Sequence, residues 1–394
     1  MKHTIYKTSI NWFYHSWRIQ QHVFLLILFF GTLATMTNTL YAQPNDNKAS
    51  FIPDKRDRQL GYLSVHPNGE ELLFVEYSGD RHHGKDFHSD IFKYNLKTKK
   101  YQKFILPDGY LYSSPNFSPK GDFILLTRIP IFQNYDEHKK EYPYEEIKKS
   151  YSQTQILLMN ADGKNLRILP IPAARMDAPI MSDEENRIVY SVITPSPKER
   201  SVGEWSNFDF WEYSLQTNQN SLFSGPHDFI DGAAIQYINE NEILISSDGY
   251  WGVDISEFYK RYNRSRVYFL KRNSKELPVP KFIDVTEAVG NPSIDNRNNI
   301  YLMGYQYTKT GNNIFKVTAE GGKTAYPIPE SLRESQLHNV LVTKDGKKIF
   351  FLYHAAGYEI RDWKTAIGQF DIESSQWSTV AIPSIESSVP IFCK

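Results

Sequence analysis

The sequence predicts an all-β protein folded as a six-bladed β-propeller of four-stranded antiparallel blades. Three observations support this fold class. Aromatic residues make up 14% of the 394 residues, with 26 Tyr and 24 Phe, a composition that favours strands. Short apolar runs alternate with polar turns along the chain. One strand–turn–strand pattern recurs six times, and repeats of roughly 50–60 residues are typical of propeller blades.

The repeat is clearest in SSPNFSPKGDFILLTR, which spans Ser113–Arg128. An extended run is followed by a Pro-Lys-Gly turn and an apolar run, a pattern that indicates two antiparallel strands joined by a tight turn. Each blade is predicted to begin with such a unit. The other five units are Tyr62–Tyr77, Ala178–Ile193, Ala233–Ser247, Asn291–Tyr305 and His338–Tyr353.

Two further runs follow each unit and complete a blade of four antiparallel strands. The predicted third strands lie in Ser89–Lys100, Thr154–Lys164, Phe208–Asn218, Ser265–Lys275, Asn312–Lys323 and Ala366–Gln376. The weaker fourth strands lie near Phe104, Leu169, Leu222, Ile283, Ile328 and Val380. The six-bladed propeller is therefore assigned to residues 61–394.

The end of the chain, Ser387–Phe392, repeats the character of the SSPNF segment. This segment could supply a strand that closes the ring, or it could begin a further unit that is cut short. We favour closure, because an open ring would expose the edge of a sheet.

The repeat carries a recognisable core. Pro115, Phe117, Ser118, Pro119 and Gly121 match the pattern P-x-F-S-P-D-G-K, and Ser89–Phe92 matches a third strand that begins Asp-Ile-Tyr. The chain therefore resembles the TolB-like, WD40-like (PD40-type) periplasmic β-propeller repeat over nearly all of its mature length. The resemblance implies a propeller of the cell envelope. It implies no single activity, because such blades serve in scaffold, binding and peptidase-associated proteins.

The N-terminal segment predicts export. Lys2, Lys7 and Arg18 precede the apolar run Val23–Met36, and the first acidic residue is Asp46. Residues 1–42 are therefore predicted to be a signal peptide cleaved before Gln43, with an uncleaved membrane anchor as the alternative. Residues 43–60 form an N-terminal extension. We expect a periplasmic or secreted protein, attached to the membrane only if the signal is retained.

Charge, cysteine content and missing motifs narrow the function classes. The 45 basic and 45 acidic residues balance, which argues against a nucleic-acid partner. Cys393 is the only cysteine, so no internal disulfide can form. The sequence has no G-x-S-x-G, no H-E-x-x-H and no phosphate-binding glycine loop. We expect a monomer with no cofactor, and we assign no catalytic residue.

The candidate ligand-binding residues share one face of the predicted ring. Within a blade, the turn between strands one and two lies on one face, here called the short-turn face. The connection between strands two and three lies on the opposite, long-loop face, where a rigid scaffold would aim the loops at a ligand. The candidates are His82, His83, His88, Tyr144, Trp205, Tyr250, Trp251, Asp254, Tyr358, Asp362 and Trp363.

Several of these candidates have a plain structural alternative. His82, His83 and His88 could bind a metal, since imidazole is a good ligand. Their spacing matches no closed motif, so a solvated loop is favoured and no metal site is assigned. The tryptophans could stack on a sugar or a peptide, or they could pack between neighbouring loops. Tyr144–Tyr151 is predicted to form a short helix with a solvated charged face.

Two functions fit this sequence. The first, which we favour, is a non-enzymatic module that binds a protein, a peptide or an envelope component on the long-loop face. The second is an enzyme, a hydrolase or lyase acting on a glycan or an ester, that uses carboxylates and histidines of the same face.

Overall fold

A computed structural model shows a six-bladed propeller built almost entirely from strands. It describes residues 40–41, 59–78, 87–136, 138, 142–195, 205–225, 229–250, 266–276, 278, 281, 288–289, 292–305, 313–332, 337–354 and 365–393. One α-helix occurs in these ranges, α1 (Tyr144–Tyr151), which has the predicted bounds. The predicted fold class is confirmed.

The strands follow the blades in chain order. After β1 (Leu40–Tyr41), blade one holds β2 (Gln59–Val65), β3 (Glu71–Ser78), β4 (His88–Asn95) and β5 (Tyr101–Ile105). Blade two holds β6 (Tyr110–Phe117), β7 (Phe123–Pro130), β8 (Gln155–Asn160) and β9 (Arg167–Ile168). Blade three holds β10 (Met176–Met181), β11 (Arg187–Pro195), β12 (Trp205–Ser214) and β13 (Asn220–Leu222).

The remaining blades keep the same order. Blade four holds β14 (Phe229–Asn239), β15 (Glu242–Tyr250) and β16 (Arg266–Lys271), and a bridge joins Val267 to Lys281. The fourth strand predicted near Ile283 lies outside the described residues. Blade five holds β17 (Ala288–Val289), β18 (Ser293–Ile294), β19 (Ile300–Tyr305), β20 (Asn313–Val317) and β21 (Lys323–Pro327). Blade six holds β22 (Leu337–Val342), β23 (Lys348–His354), β24 (Thr365–Asp371) and β25 (Gln376–Thr379), and β26 (Val389–Phe392) ends the chain.

The turn of the repeat has a local cause. The Ser118 backbone N–H donates to the Phe123 carbonyl at 2.9 Å, and the Ser118 hydroxyl accepts from the Phe123 N–H at 3.0 Å. Gly121 has φ +86°, a region that suits glycine because it lacks Cβ. Thr343 in blade six makes the same two bonds with Lys348. The repeated hydroxyl therefore closes the turn that joins strands one and two.

Side-chain alternation packs each blade against both of its neighbours. Ile124 and Leu126 of β7 lie in a cluster shared with blade one, whereas Leu125 lies in a cluster shared with blade three. All three side chains are fully buried, and Phe117 is 7% exposed. Successive residues of a strand point to opposite faces of the sheet. Six such clusters fill the six interfaces between neighbouring blades.

The ring closes between blades six and one through side-chain packing and a hydrogen bond. Val380 and Ile382 follow β25 and are buried against blade one, and the Tyr94 hydroxyl donates to the Ala381 carbonyl at 3.1 Å. The chain then reaches the outer edge of blade one, where β26 pairs parallel with β5. The C-terminal segment is thus a closing strand, and it adds a fifth strand to blade one.

The structure describes two residues of the predicted signal peptide, Leu40 and Tyr41. Leu40–Tyr41 form β1, which pairs parallel with β21 at the outer edge of blade five. Cleavage before Gln43 would remove this strand. Within the described ranges, no helix combines the length and the apolar character that a membrane span requires.

Candidate functional site

The long-loop face carries an ordered aromatic cluster where blades one and two meet. Leu111, Ile129, Phe132 and Tyr142 are buried together, and Phe87, Ile147 and Tyr151 pack against them. The rings of Phe132 and Tyr142 are 5.4 Å apart in an edge-to-face arrangement. The connection from β7 to β8, which includes α1, therefore folds back onto its blade as a packed platform.

A second group of polar and aromatic side chains lies next to this cluster, at the ends of β6 and β7. The Arg128 guanidinium lies 3.8 Å from the centroid of the Tyr110 ring, and its Nε donates to Gln155 at 2.9 Å. The Tyr112 hydroxyl donates to the Pro107 carbonyl at 2.6 Å. Burial raises the pKa of Tyr112 to about 12, against the opposing effect of its hydrogen bond with Arg128. These contacts connect the side chains at the long-loop ends of β6 and β7.

The predicted ligand-binding residues are placed as follows. His88 begins β4, is exposed, and its Nε2 lies 2.5 Å from the Ser78 hydroxyl. Tyr144 begins α1 and is 51% exposed on the long-loop face. Trp205 is the first residue of β12, and Tyr250 is the last residue of β15. The others, His82, His83, Trp251, Asp254, Tyr358, Asp362 and Trp363, lie outside the described residues, and their roles stay predictions.

A central cavity of about 310 Å³ lies on the ring axis and is lined by the first strands of the blades. Within each first strand, the earlier residues lie nearer the long-loop face and the later residues nearer the short-turn face. Asp177 is the second residue of β10, whereas Lys344 follows the end of β22. The described lining thus places a carboxylate toward the long-loop mouth and His66 and Lys344 toward the short-turn mouth.

The strands around this cavity share a β-bulge. The pairing register shifts between Gly61 and Ser64 in blade one, and at the corresponding place in blades two, three and six. Each of these bulges contains a residue other than glycine with positive φ: Tyr62, Ser114, Ala178 and Asn339, at 48–50°. Bulges and left-handed backbone concentrate at functional sites, because surrounding structure must hold them in place.

Two of these bulges orient one carboxylate. The Ser114 hydroxyl of blade two donates to Asp177 Oδ1 at 2.5 Å, and the Ala178 backbone N–H of blade three donates to the same oxygen at 2.7 Å. Both donors belong to the left-handed residues. Asp177 makes no ion pair with any residue that the structure describes. It is also the only carboxylate among the described residues that line the cavity.

Sequence reasoning missed Asp177 and Ser114 because it assigned function to the long connections alone. A signal was present in the repeat itself. Pro115 and Pro179 occupy the same position of two bulges, directly after the left-handed residue. Proline cannot donate to a strand ladder and is found in strands at edges or bulges. The recurrent proline therefore marks the residues that face the cavity.

Several solved structures are similar to this chain. No protein-family model matches the sequence, and neither does any curated protein. The β-propeller domain of the trilobed protease from Pyrococcus furiosus is 11% identical, with a TM-score of 0.47, over 83% of this chain and 98% of that one. TolB from Acinetobacter baumannii is 13% identical, with a TM-score of 0.44, over 84% of this chain and 68% of that one.

The tricorn protease is 13% identical, with a TM-score of 0.51, over 85% of this chain but only 27% of its own length. An oligogalacturonate lyase, with a TM-score of 0.48, and an acylaminoacyl peptidase, with a TM-score of 0.47, are also similar. At such low identity the likeness shows the fold alone. The chain is a β-propeller of six blades.

Proposed function

We propose that this protein is an exported, non-catalytic TolB-like propeller that captures a protein or peptide segment of the cell envelope on its long-loop face. The observation that carries the proposal is the mouth of the central cavity, where an oriented carboxylate from blade three is held by a residue of blade two. Ligand sites are typically concave and combine apolar walls with a few placed polar groups.

The size of the cavity limits what can enter it. A volume of about 310 Å³ is at the small end of ligand pockets, and it suits a side chain or a chain terminus. The rest of a partner would lie across the long-loop face. There the aromatic cluster of blades one and two supplies a rigid platform and presents Tyr144 to solvent. Aromatic anchors commonly carry much of the energy of such interfaces.

Capture by face-specific variants tests this function. The wild-type chain, immobilised, is incubated with envelope extract, and the captured proteins are identified by mass spectrometry. Tyr144→Ala and Trp205→Ala should reduce capture of the same partner at least severalfold. Matched controls on the short-turn face, Lys120→Ala and Lys347→Ala, replace exposed side chains and should leave capture unchanged.

Other results would point elsewhere. Loss of capture only in the short-turn variants would place the binding surface on the opposite face. Cleavage of a glycan or an ester by the wild-type chain would support the hydrolase or lyase alternative. Export is tested separately: the periplasmic or secreted fraction should contain protein whose N-terminal residue is Gln43, and full-length protein in the cytosol would contradict it.

A further inference from the structure

Asp177 has the geometry of a recognition group. Its Oδ1 accepts hydrogen bonds from Ser114 and Ala178 at 2.5 and 2.7 Å. Ser114 is 7% exposed, and Asp177 itself is partly exposed within the cavity lining. Both donors come from left-handed residues, with φ +50° and +48°. Two strained backbone positions in different blades therefore hold one carboxylate in a single orientation.

The charge of this carboxylate is uncompensated within the described structure. Asp177 has no ion pair there, and the nearest guanidinium in sequence, Arg175, lies 5.3 Å from the centroid of the Tyr151 ring. The basic side chains of the described lining, His66 and Lys344, lie toward the opposite mouth of the cavity. A carboxylate that has no cation beside it attracts one from a ligand, because charge-assisted hydrogen bonds are stronger than neutral ones.

The hydrogen bonds at Oδ1 of Asp177 determine which type of cationic group the carboxylate can bind best. Since Ser114 and Ala178 engage Oδ1, only Oδ2 is left to accept from a ligand in the described structure. A guanidinium binds carboxylates best as a fork on both oxygens, whereas an ammonium is a compact charge that needs one oxygen. A single available oxygen favours an ammonium group.

We propose that Asp177 is the recognition point for a primary ammonium group, a lysine side chain or a peptide amino terminus, that enters the cavity from the long-loop face. This inference rests on the proposed function for the nature of its ligand, a segment of a polypeptide. It specifies the chemistry of the residue that is inserted, which the proposed function leaves open.

A peptide series tests the site on the full chain. The probes are pentaglycine peptides blocked at both ends that carry lysine, acetyl-lysine or arginine at the centre, and an unblocked pentaglycine amide with a free amino terminus. Binding is measured by calorimetry or by NMR titration. The lysine peptide should bind roughly tenfold or more tightly than the acetyl-lysine peptide, and more tightly than the arginine peptide. The affinity of the unblocked peptide relative to the lysine peptide identifies the source of the ammonium group.

Variants assign the effect to Asp177. Asp177→Asn keeps the acceptor for Ser114 and Ala178 but removes the charge, and it should abolish the preference for lysine over acetyl-lysine. Asp183→Asn makes the same change at an exposed position of the same blade and should leave that preference intact. Ser114→Ala frees one lone pair of Oδ1 and should shift the preference from lysine toward arginine, which a merely structural role would not do.

The outcomes separate this inference from the proposed function. Equal binding of lysine and acetyl-lysine peptides, or no binding of either at millimolar concentration, overturns the ammonium site. The peptide comparison uses the wild-type protein, so it decides the question even if a variant fails to fold. Capture of an envelope partner that is unchanged in Asp177→Asn would leave the binding function standing and would also reject the site. Lysine selectivity without any envelope capture would support the site and reject the proposed function.

Discussion

The Thr365 hydroxyl of blade six bonds to both backbone polar groups of Leu60 in blade one, 305 positions away. It accepts from the Leu60 N–H at 2.5 Å and donates to the Leu60 carbonyl at 2.8 Å. Both residues are buried. One side chain therefore satisfies both backbone polar groups of Leu60 at the point where the ring closes.

Loss of this hydroxyl should destabilise the contact between blades six and one. Thr365→Val keeps the shape of the side chain but leaves a buried N–H and a buried carbonyl unpaired, at a cost of about 1–3 kcal/mol in the free energy of unfolding. Urea denaturation measures the change. Ser378→Ala removes an exposed hydroxyl from the same blade and should have no measurable effect. Equal stability of both variants would show that Thr365 contributes nothing to closure.

Phe117 and Lys120 test the register of the repeat. Phe117 is 7% exposed and packs between blades one and two, whereas Lys120 is exposed in the adjoining turn. Phe117→Ala should lower the free energy of unfolding by about 3–5 kcal/mol, and Lys120→Ala should be near neutral. Thermal and urea unfolding of the two variants provide the comparison, and similar losses would contradict the packing described here.

Gly121 should be less tolerant of alanine than Gly109. Both have positive φ, at +86° and +85°. A Cβ at Gly109 meets nothing within 4 Å, whereas one at Gly121 would lie 2.2 Å from His66 Nε2 of blade one. Gly109→Ala should lower the free energy of unfolding by about 1 kcal/mol, through backbone strain alone. Gly121→Ala should cost roughly 1–3 kcal/mol more through overpacking.

A double-mutant cycle tests whether the additional destabilisation of Gly121→Ala comes from its contact with His66. His66 also makes an edge-to-face contact with Phe117 at 4.8 Å between ring centroids, so a displaced imidazole loses packing. On a His66→Ala background, Gly121→Ala should cost the same as Gly109→Ala. A difference that persists in this background would mean that the clash is not with His66.

An ion pair buried between blades three and four should contribute strongly to the free energy of unfolding. Arg272 bonds to Glu212, the side chains are 17% and 9% exposed, and the Tyr237 hydroxyl donates to Glu212 at 3.0 Å. Glu212→Gln should lower the free energy of unfolding by about 3–5 kcal/mol, because it leaves the Arg272 charge buried without a counter-charge. Lys164→Ala, which removes an exposed pair with Asp162, is the control and should be silent.

The buried tyrosines make the protein sensitive to alkali. Burial raises the pKa of Tyr112 from 10.0 to about 12, and burial likewise raises the pKa values of Tyr190, Tyr237 and Tyr301. Since the folded pKa of Tyr112 lies above the unfolded value, its contribution to stability is complete below pH 10 and is lost as the pH rises through about 12.

Two measurements check this dependence. The free energy of unfolding should fall between pH 10 and 12, and tyrosinate absorbance should rise in a second phase that coincides with unfolding. Tyr112→Phe should reduce both the decline and the second phase without removing them, since the other buried tyrosines remain. A stability that is constant up to pH 12 would contradict the prediction.

Short-range signals in the sequence determined the fold class and the repeating unit. The turn at Gly121, the helix Tyr144–Tyr151 and the alternating burial of Ile124, Leu125 and Leu126 depend on residues a few positions apart. Backbone conformation and side-chain direction are set at that range. The assignment of the long connections to one face also follows from strand alternation, although most of the individual candidates lie outside the described residues.

Only the tertiary structure decided how the ring closes and what faces its axis. Thr365 meets Leu60 and β26 joins β5 through contacts between opposite ends of the chain, which no local pattern encodes. Ser114 reaches Asp177 from 63 positions away, across a blade interface. An isolated aspartate in a strand is an ordinary residue. It becomes a candidate binding group because six blades enclose a cavity around it, and enclosure is a property of the closed ring.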